Sequence, residues 1–386
     1  VGQKIVALNL ELSHASIELF LSAMAAGQVV AIVPSREPAS VIDAWLTELN
    51  LWAERQISQQ ASVIIRTSGS TAQPKSAQLS WSALRASARA VNNYVDFKSN
   101  SVWALSLPLF HVGGLAIVVR ALEAQAMIEI AGDYDELVSL IKTDRVSHVS
   151  LVPAQVRRLL GDNIDLAKLR AVIIGGDSLA GSDREQALAR DWPLCLSYGL
   201  TETASMIYGE RYSSAGPKPS VLEHAQLRLA ADGEILVKSA SLLTGYIIGG
   251  ELLKPFDSQG FFATGDMAQF NNNQLHIIGR KNNRIISGGE NIQAEEIEQV
   301  LESHPLITMC VVVRIADAKF GERPLAFVKW RAEPLSEKTL VDFLTGKLAR
   351  YKHPVKFIAW PDHVPHVGKK PRSYLKQHLH TLTTLS

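Results

Sequence analysis

The chain is predicted to be an α/β protein with a large N-terminal domain of mainly parallel sheets flanked by helices. A small β-rich subdomain and a compact α+β C-terminal domain are expected to follow. Three observations predict this. From Val63 to about Ser197, short β-branched runs alternate with amphipathic stretches, the pattern of parallel strands covered on both faces by helices. Polar turns follow several of those runs, on the side where ligands of such sheets gather. The texture then changes twice, after about Gly216 and again beyond Gly279-Arg280.

Taken in order, the strand candidates are Val63–Ile65, Trp103–Leu107, Ala126–Ile130, His148–Val152, Ala171–Ile174 and Leu194–Ser197. Trp81–Tyr94, Asp135–Lys142 and Asp183–Ala189 carry apolar residues at helical spacing between them. Leu227–Leu229, Ile235–Val237 and Leu275–Ile278 read as short strands, with Asp232-Gly233 as a hairpin turn. These place the β-rich subdomain at residues 216–279. The last unit reads as helix Ala294–Ser303, strands Met309–Val313 and Leu325–Trp330, helix Glu337–Ala349 and strand Val355–Ala359. The expected domains are therefore 1–280 and 283–386, with the boundary where charged and amide residues cluster.

At 386 residues the chain has room for two or three domains. An apolar fraction of 47%, a charged fraction of 20% and a net charge of +1 describe an ordinary globular protein. No overall field favours nucleic acid or an anionic membrane. The apolar stretch from Leu19 to Pro34 is short and interrupted by Ser22, Gly27 and Gln28, so it reads as a helix and a buried strand and not as a membrane span. Cys195 and Cys310 stand far apart in apolar surroundings and read as buried thiols of a cytoplasmic protein. A chain that opens on Val1 is expected to lack an N-terminal portion.

The most informative stretch is Thr67-Ser68-Gly69-Ser70-Thr71-Ala72-Gln73-Pro74-Lys75-Ser76. It is read as a turn between the strand at Val63–Ile65 and the helix from Trp81. Five hydroxyls, a glycine and a lysine are the kinds of group needed to wrap a polyphosphate. No Walker sequence occurs. Tyr198-Gly199-Leu200-Thr201-Glu202 offers an aromatic face for a purine, a hydroxyl for phosphate and a carboxylate for Mg²⁺. Gly175-Gly176-Asp177 lets the backbone lie flat against a base, while Asp177 equally suits a helix cap.

Together and in this order, these motifs resemble those of the adenylate-forming enzymes, which include acyl-CoA synthetases, and the likeness runs along nearly the whole chain. The resemblance implies ATP bound by Thr67, Ser68, Gly69, Ser70, Thr71 and Lys75, by Gly175, Gly176, Asp177, Tyr198, Gly199 and Thr201, and by Asp266 and Arg280 at the ribose. It implies Mg²⁺ at Glu202 and CoA as second substrate. Phe110-His111-Val112-Gly113-Gly114 resembles the acyl-pocket segment, which gives His111 and Gly113 a substrate role and no proton transfer. Lys369, in Gly368-Lys369-Lys370-Pro371-Arg372, matches the family's essential lysine, with Lys370 as the neighbouring alternative. Lys369, Lys75, Thr201 and Glu202 are thus the expected catalytic set. Gly279 to Asn291 resembles the hinge and thioester loop, with Asn282 as pivot and Gly288-Gly289 beside the CoA tunnel, which makes the C-terminal domain a mobile lid.

Two departures stand out. Ala72 and Ser76 occupy places where the family usually has glycine, and a positive φ at either would cost roughly 1–2 kcal/mol. Within the superfamily the wording is most similar to the o-succinylbenzoate–CoA ligases of menaquinone synthesis, through Leu105–Gly114, Ser150–Gln155, Ser287–Ile292 and Phe320–Pro324. That likeness implies Arg120 and Ser150 in a pocket for an aromatic dicarboxylic acid. A buried arginine is costly unless paired, and a dianionic substrate supplies the partner. Another aryl- or acyl-CoA ligase, or a non-catalytic nucleotide-binding relative, are the competing readings. A homodimer is compatible with the likeness.

Overall fold

A computed structural model describes residues 5–35, 37–55, 60–67, 75–213, 215–271, 274–361, 364 and 370–383. The chain divides into two compact units. One comprises Val1–Leu179, Asp183–Arg228 and Leu236–Ala263; the other comprises Ala180–Ser182, Leu229–Ile235 and Thr264–Ser386.

Two sheets build the first unit. A seven-stranded sheet runs in the order Gly216–Val221, Ser205–Ser213, Leu194–Leu200, Ala171–Ile174, His148–Leu151, Val102–Leu105 and Met127–Ile130. Its last five members are parallel and the first two antiparallel. Alternation along one strand shows why it is buried on both faces: Ala171 and Ile173 join one core, while Val172 and Ile174 join another. The second of these cores is closed by Leu137, Leu140, Leu159, Leu160 and Ala187 from the helices Tyr134–Lys142, Pro153–Gly161 and Gly181–Leu188.

The six-stranded sheet runs Val6–Leu8, Val29–Ile32, Ser62–Thr67, Lys75–Ser80, Gly245–Ile248 and Glu251–Leu253. Helices Trp81–Val95 and Val112–Ala124 share one core with both sheets, through Leu84, Val91, Leu115 and Val118. Trp45, Leu49 and Trp52 of helix Ala39–Glu54 cover the other face of the six-stranded sheet against Val29, Ala31 and Ile64. Caps fix two helix starts: Ser80 accepts from the Ala83 amide and Asp133 from the Glu136 amide.

Three sequence expectations change here. The strand ending at Thr67 is followed by an antiparallel strand, Lys75–Ser80, before the helix that starts at Trp81, with Thr67 opposite Lys75. Ser76, Ala77, Gln78 and Leu79 are all buried, so a strand of small and polar residues escaped a search for β-branched runs. The segment 216–279 is shared among sheets: Gly216–Val221 extends the seven-stranded sheet and Gly245–Leu253 the six-stranded one. The helix expected over Glu337–Ala349 ends at Leu344, and Gly346 follows with φ of +80°.

In the second unit a sheet runs Glu290–Gln293, Arg284–Ser287, Gly321–Trp330 and Ile307–Asp317, with Phe357–Ala359 paired in parallel to Gly321–Trp330. Helices Ala294–Glu302 and Glu337–Leu344 cover one face through Ile297, Leu301, Leu340 and Leu344. Helix Arg372–Thr383 covers the other with Leu375 and Leu379 against Val311, Val313 and Phe327. The hairpin of Phe262–Asn271 and Gln274–Arg280 places Asp266 opposite Arg280.

Candidate active site

In the first unit, parallel strands end side by side, so the turns that follow them share one rim. Ile174 leads into Gly175-Gly176-Asp177, and Leu200 into a 3₁₀ turn over Thr201–Thr203. Gly176 has φ of +85° and Gly175 lies so close to Ser197 that a Cβ there would sit 2.8 Å from its Oγ. Ser197 Oγ in turn donates to the Ile174 carbonyl at 2.8 Å. Asp177 Oδ1 accepts from the Ser178 amide at 2.8 Å and caps no helix, since the next one starts at Gly181. Gly199 is required by packing: a Cβ on it would overlap the Ser205 carbonyl oxygen. Thr203, which sequence reading passed over, closes the turn by bonding the Leu200 amide at 2.9 Å and the Ser205 carbonyl at 2.6 Å.

Tyr246, on the strand paired with Lys75–Ser80, links that sheet to this rim. Tyr246 donates to Glu202 Oε1 at 2.7 Å, and its ring lies 5.0 Å beneath Lys75 Nζ. The Leu243 amide donates to the Glu202 carbonyl at 2.8 Å and the Thr244 amide to the Gln78 carbonyl at 2.7 Å. Lys75 and Glu202, expected to work on the same phosphates, are thus brought together. Thr67 Oγ1 donates to the Lys75 carbonyl at 3.3 Å. Ser68, Gly69, Ser70, Thr71 and Ala72 lie outside the described residues, as does Lys369. Ser76 accepts the Trp45 indole N–H at 2.7 Å and does not have positive φ; a glycine is not needed there.

Arg120 is the most unusual group in the unit. It sits on the inward face of helix Val112–Ala124 and is 4% exposed. Its Nη2 donates to Ser205 Oγ at 2.6 Å and its guanidinium lies 4.9 Å from the Trp103 ring centre. Its Nε is buried with no hydrogen-bond partner, and no carboxylate is paired with it among the described residues. Burial pushes its pKa down to about 10. Ser150 joins the same cluster by accepting the Trp103 indole N–H at 3.2 Å. Ser205 and Trp103 are therefore part of this cluster, although the sequence did not single them out; the signal for Ser205 is conformational, a φ of +140° next to Ala204 at +54°. Phe110 and His111 pack with ring centres 4.5 Å apart at the start of this helix. Gly114 is pressed against the Pro108 carbonyl, whereas a Cβ on Gly113 would make only an ordinary contact at 3.5 Å. Burial pushes the Cys195 thiol up to about 12 and the Cys310 thiol well above its usual value, so neither is a nucleophile.

In the second unit, Asp266 Oδ1 pairs with Arg280 Nε at 2.7 Å, and Arg280 Nη1 donates to the Thr264 carbonyl at 3.2 Å. Gly265, at φ of +75°, turns its amide to Glu234 Oε1 at 2.9 Å. Asn282 lies in the 3₁₀ turn Lys281–Asn283. Lys281 holds that turn by pairing with Asp232 at 2.8 Å and Glu234 at 2.6 Å; those bonds, Asp232 first, raise its pKa. Gly288 and Gly289, with φ of +59° and +88°, form the two-residue tip between paired Ser287 and Glu290. The Gly288 amide donates to the Phe320 carbonyl at 2.8 Å.

Residues 43–247 match the family described as AMP-binding enzyme, and residues 296–369 match the AMP-binding enzyme C-terminal domain. The chain belongs to this family. It is similar to 2-succinylbenzoate–CoA ligase of Salmonella typhimurium, at 36% identity over 304 residues, 79% of this chain and 66% of that one. The ligase of the same description from Escherichia coli is 35% identical over 312 residues, 81% and 67% of the two chains. The chain thus spans about two thirds of the length of these curated relatives. Among solved structures it is similar to E. coli MenE with a bound phenylether-linked analogue of OSB-AMS, at TM-score 0.79 and 29% identity, covering 99% of this chain and 89% of the other. Bacillus subtilis MenE in complex with the acyl-adenylate intermediate OSB-AMP aligns at TM-score 0.76 and 25% identity, over 96% and 83%. ATP-bound MatB from Rhodopseudomonas palustris, at 22% identity and TM-score 0.84, shares the fold.

Proposed function

We propose that the chain is an ATP-dependent acid–thiol ligase that makes o-succinylbenzoyl-CoA through an acyl-adenylate, releasing pyrophosphate and then AMP. The observation that supports the choice of acid is Arg120, a buried cation with no carboxylate partner among the described residues, beside Ser150, Ser205 and Trp103. A buried charge of this kind calls for an anion, and the second carboxylate of an aromatic dicarboxylic acid supplies it. The names of the relatives support the same substrate.

In this reading the substrate carboxylate, ionised at neutral pH, attacks the α-phosphorus and pyrophosphate leaves. Thr67–Thr71 and Lys75 hold the phosphates, Tyr198 and Gly175–Asp177 the adenine, and Asp266 with Arg280 the ribose. The Asp266 carboxylate, fixed by Arg280, accepts from the sugar hydroxyls. Lys369 stabilises charge at the carboxylate and α-phosphate. A CoA thiolate next attacks the activated carbonyl, and the C–O bond to AMP breaks. Residues 283–386 act as a lid that pivots at Asn282, exchanging Lys369 for Gly288-Gly289 between the two steps.

Glu202 suits Mg²⁺: one oxygen is fixed by Tyr246 and a single carboxylate plus phosphate oxygens is a usual set for that ion. Bound there, Mg²⁺ would neutralise phosphate charge. No helix among the described residues is long and apolar enough to cross a membrane, and the reading puts the enzyme in the cytoplasm with its substrates.

The test is AMP formation with ATP and CoA across a panel of acids. The expected result is turnover with o-succinylbenzoate at least a hundredfold above benzoate or a medium-chain fatty acid. Preference for a monocarboxylic acid would make the chain a different aryl- or acyl-CoA ligase, and no turnover with any acid would make it a nucleotide binder.

A further inference from the structure

Two cations stand beside Lys369 in the sequence, Lys370 and Arg372, and a single buried acid grips both. Glu298, on helix Ala294–Glu302, is 1% exposed. Its Oε1 accepts from the Val312 amide at 2.7 Å and lies 2.6 Å from Arg372 Nη1. Its Oε2 accepts from Lys370 Nζ at 3.0 Å. Lys370 has a second acid in Glu302, at 2.8 Å, and Glu302 also accepts from the Cys310 amide. Arg372 donates further to the Val312 carbonyl and reaches Glu295 Oε1 at 3.5 Å. Glu295 Oε1 in turn accepts from Asn283 Nδ2 at 2.5 Å.

This geometry divides the labour between two adjacent lysines. Burial alone would lower the pKa of the Lys370 ammonium, but Glu298 and Glu302 outweigh that and raise it. Lys370 is therefore a fixed structural cation with two acids, and it is not the group that travels to substrate. The chain is pinned one residue and three residues beyond Lys369, to a helix and to the central strand Ile307–Asp317. A carboxylate with both oxygens satisfied is a rigid anchor; removing it leaves Lys370 with Glu302 alone and Arg372 with only the longer contact to Glu295.

We propose that Glu298 is a positioning residue for the adenylation step, acting through Lys370 and Arg372 on the presentation of Lys369. The inference rests on the role given to Lys369 above. Misplacement by about 1 Å costs up to a hundredfold in rate, whereas thioester formation, in which Lys369 takes no part, is indifferent to it.

The experiment measures both half-reactions separately in the full chain. For Glu298→Gln, acid-dependent adenylation should fall at least tenfold in kcat with KM for ATP and acid within threefold. Thioester formation from supplied acyl-adenylate should stay within twofold of wild type. Lys370→Ala, at a less buried position, gives the same split should Glu298→Gln fail to fold, and Lys370→Arg should restore adenylation. Circular dichroism and the melting temperature check that each variant is folded. Equal loss of both half-reactions in folded variants, or adenylation at the wild-type rate, overturns the proposal. A wild type that adenylates nothing would instead overturn the functional reading, and this inference with it.

Discussion

Replacing Arg120 by methionine should weaken acid recognition while leaving the stability of the free protein nearly unchanged. The guanidinium is 4% exposed and its pKa is pushed down to about 10 from 12.5 by burial. At 1.36 kcal/mol per unit, that shift amounts to about 3 kcal/mol against the charged form. Its contact with the Trp103 ring offsets about 1–2 kcal/mol of this. The hydrogen bond to Ser205 Oγ offsets most of the remainder, so the ligand-free protein should change in stability by no more than about 1 kcal/mol when an apolar side chain of similar length fills the space. A charged hydrogen bond to a substrate carboxylate contributes about 1.5–3 kcal/mol, so KM for a dicarboxylic acid should rise by roughly ten- to a hundredfold. KM for ATP should stay within threefold. Urea unfolding of the free protein and steady-state adenylation kinetics provide the two readouts. A variant that loses stability while keeping wild-type affinity for the acid would show that Arg120 is a structural residue and that the pocket lies elsewhere.

Other consequences follow from the same geometry. Lys369→Ala should reduce adenylation by at least a hundredfold while thioester formation from supplied acyl-adenylate stays within threefold; equal loss in both would contradict a lysine used in one step only. Gly199→Ala should lower the unfolding free energy by about 1–3 kcal/mol, because its Cβ meets the Ser205 carbonyl, and a thermal melt at wild-type temperature would refute the packing argument. His148 is fully buried between Phe97 and Trp103, with its pKa pushed down to about 4 by burial. Being depressed, it is neutral in the native state and takes up a proton on unfolding. It therefore adds stability above pH 6.5 that is lost as pH falls toward 4, up to about 3 kcal/mol. Urea midpoints at pH 7.5 and 5 should differ less for His148→Gln than for wild type, and an unchanged difference would remove His148 as a cause.

Much of the parallel sheet was legible because its strands are short apolar runs bounded by polar turns. Ala171–Ile174 matches the expectation at both ends. Lys75–Ser80 was not legible, since its buried side chains include Ser76 and Gln78, whose hydroxyl and amide find distant partners in Trp45 and Ser62. Tyr246 was missed for a related reason: its meaning comes from Glu202, forty-four residues away, and from Lys75 across a strand pair. Motif wording singled out Arg120 and Ser150, but neither composition nor spacing pointed to Trp103 and Ser205, which bond to them. The choice between Lys369 and Lys370 was likewise open in the sequence. The acids that pair with Lys370, Glu298 and Glu302, come together only when helix Ala294–Glu302 folds.

The central claim is that this chain activates an organic acid as a mixed anhydride with AMP. Exchange of labelled pyrophosphate into ATP, measured without CoA, tests it most directly. Exchange should require o-succinylbenzoate and disappear in Lys369→Ala. Exchange that is absent with the acid present, or that proceeds equally without it, would contradict the account.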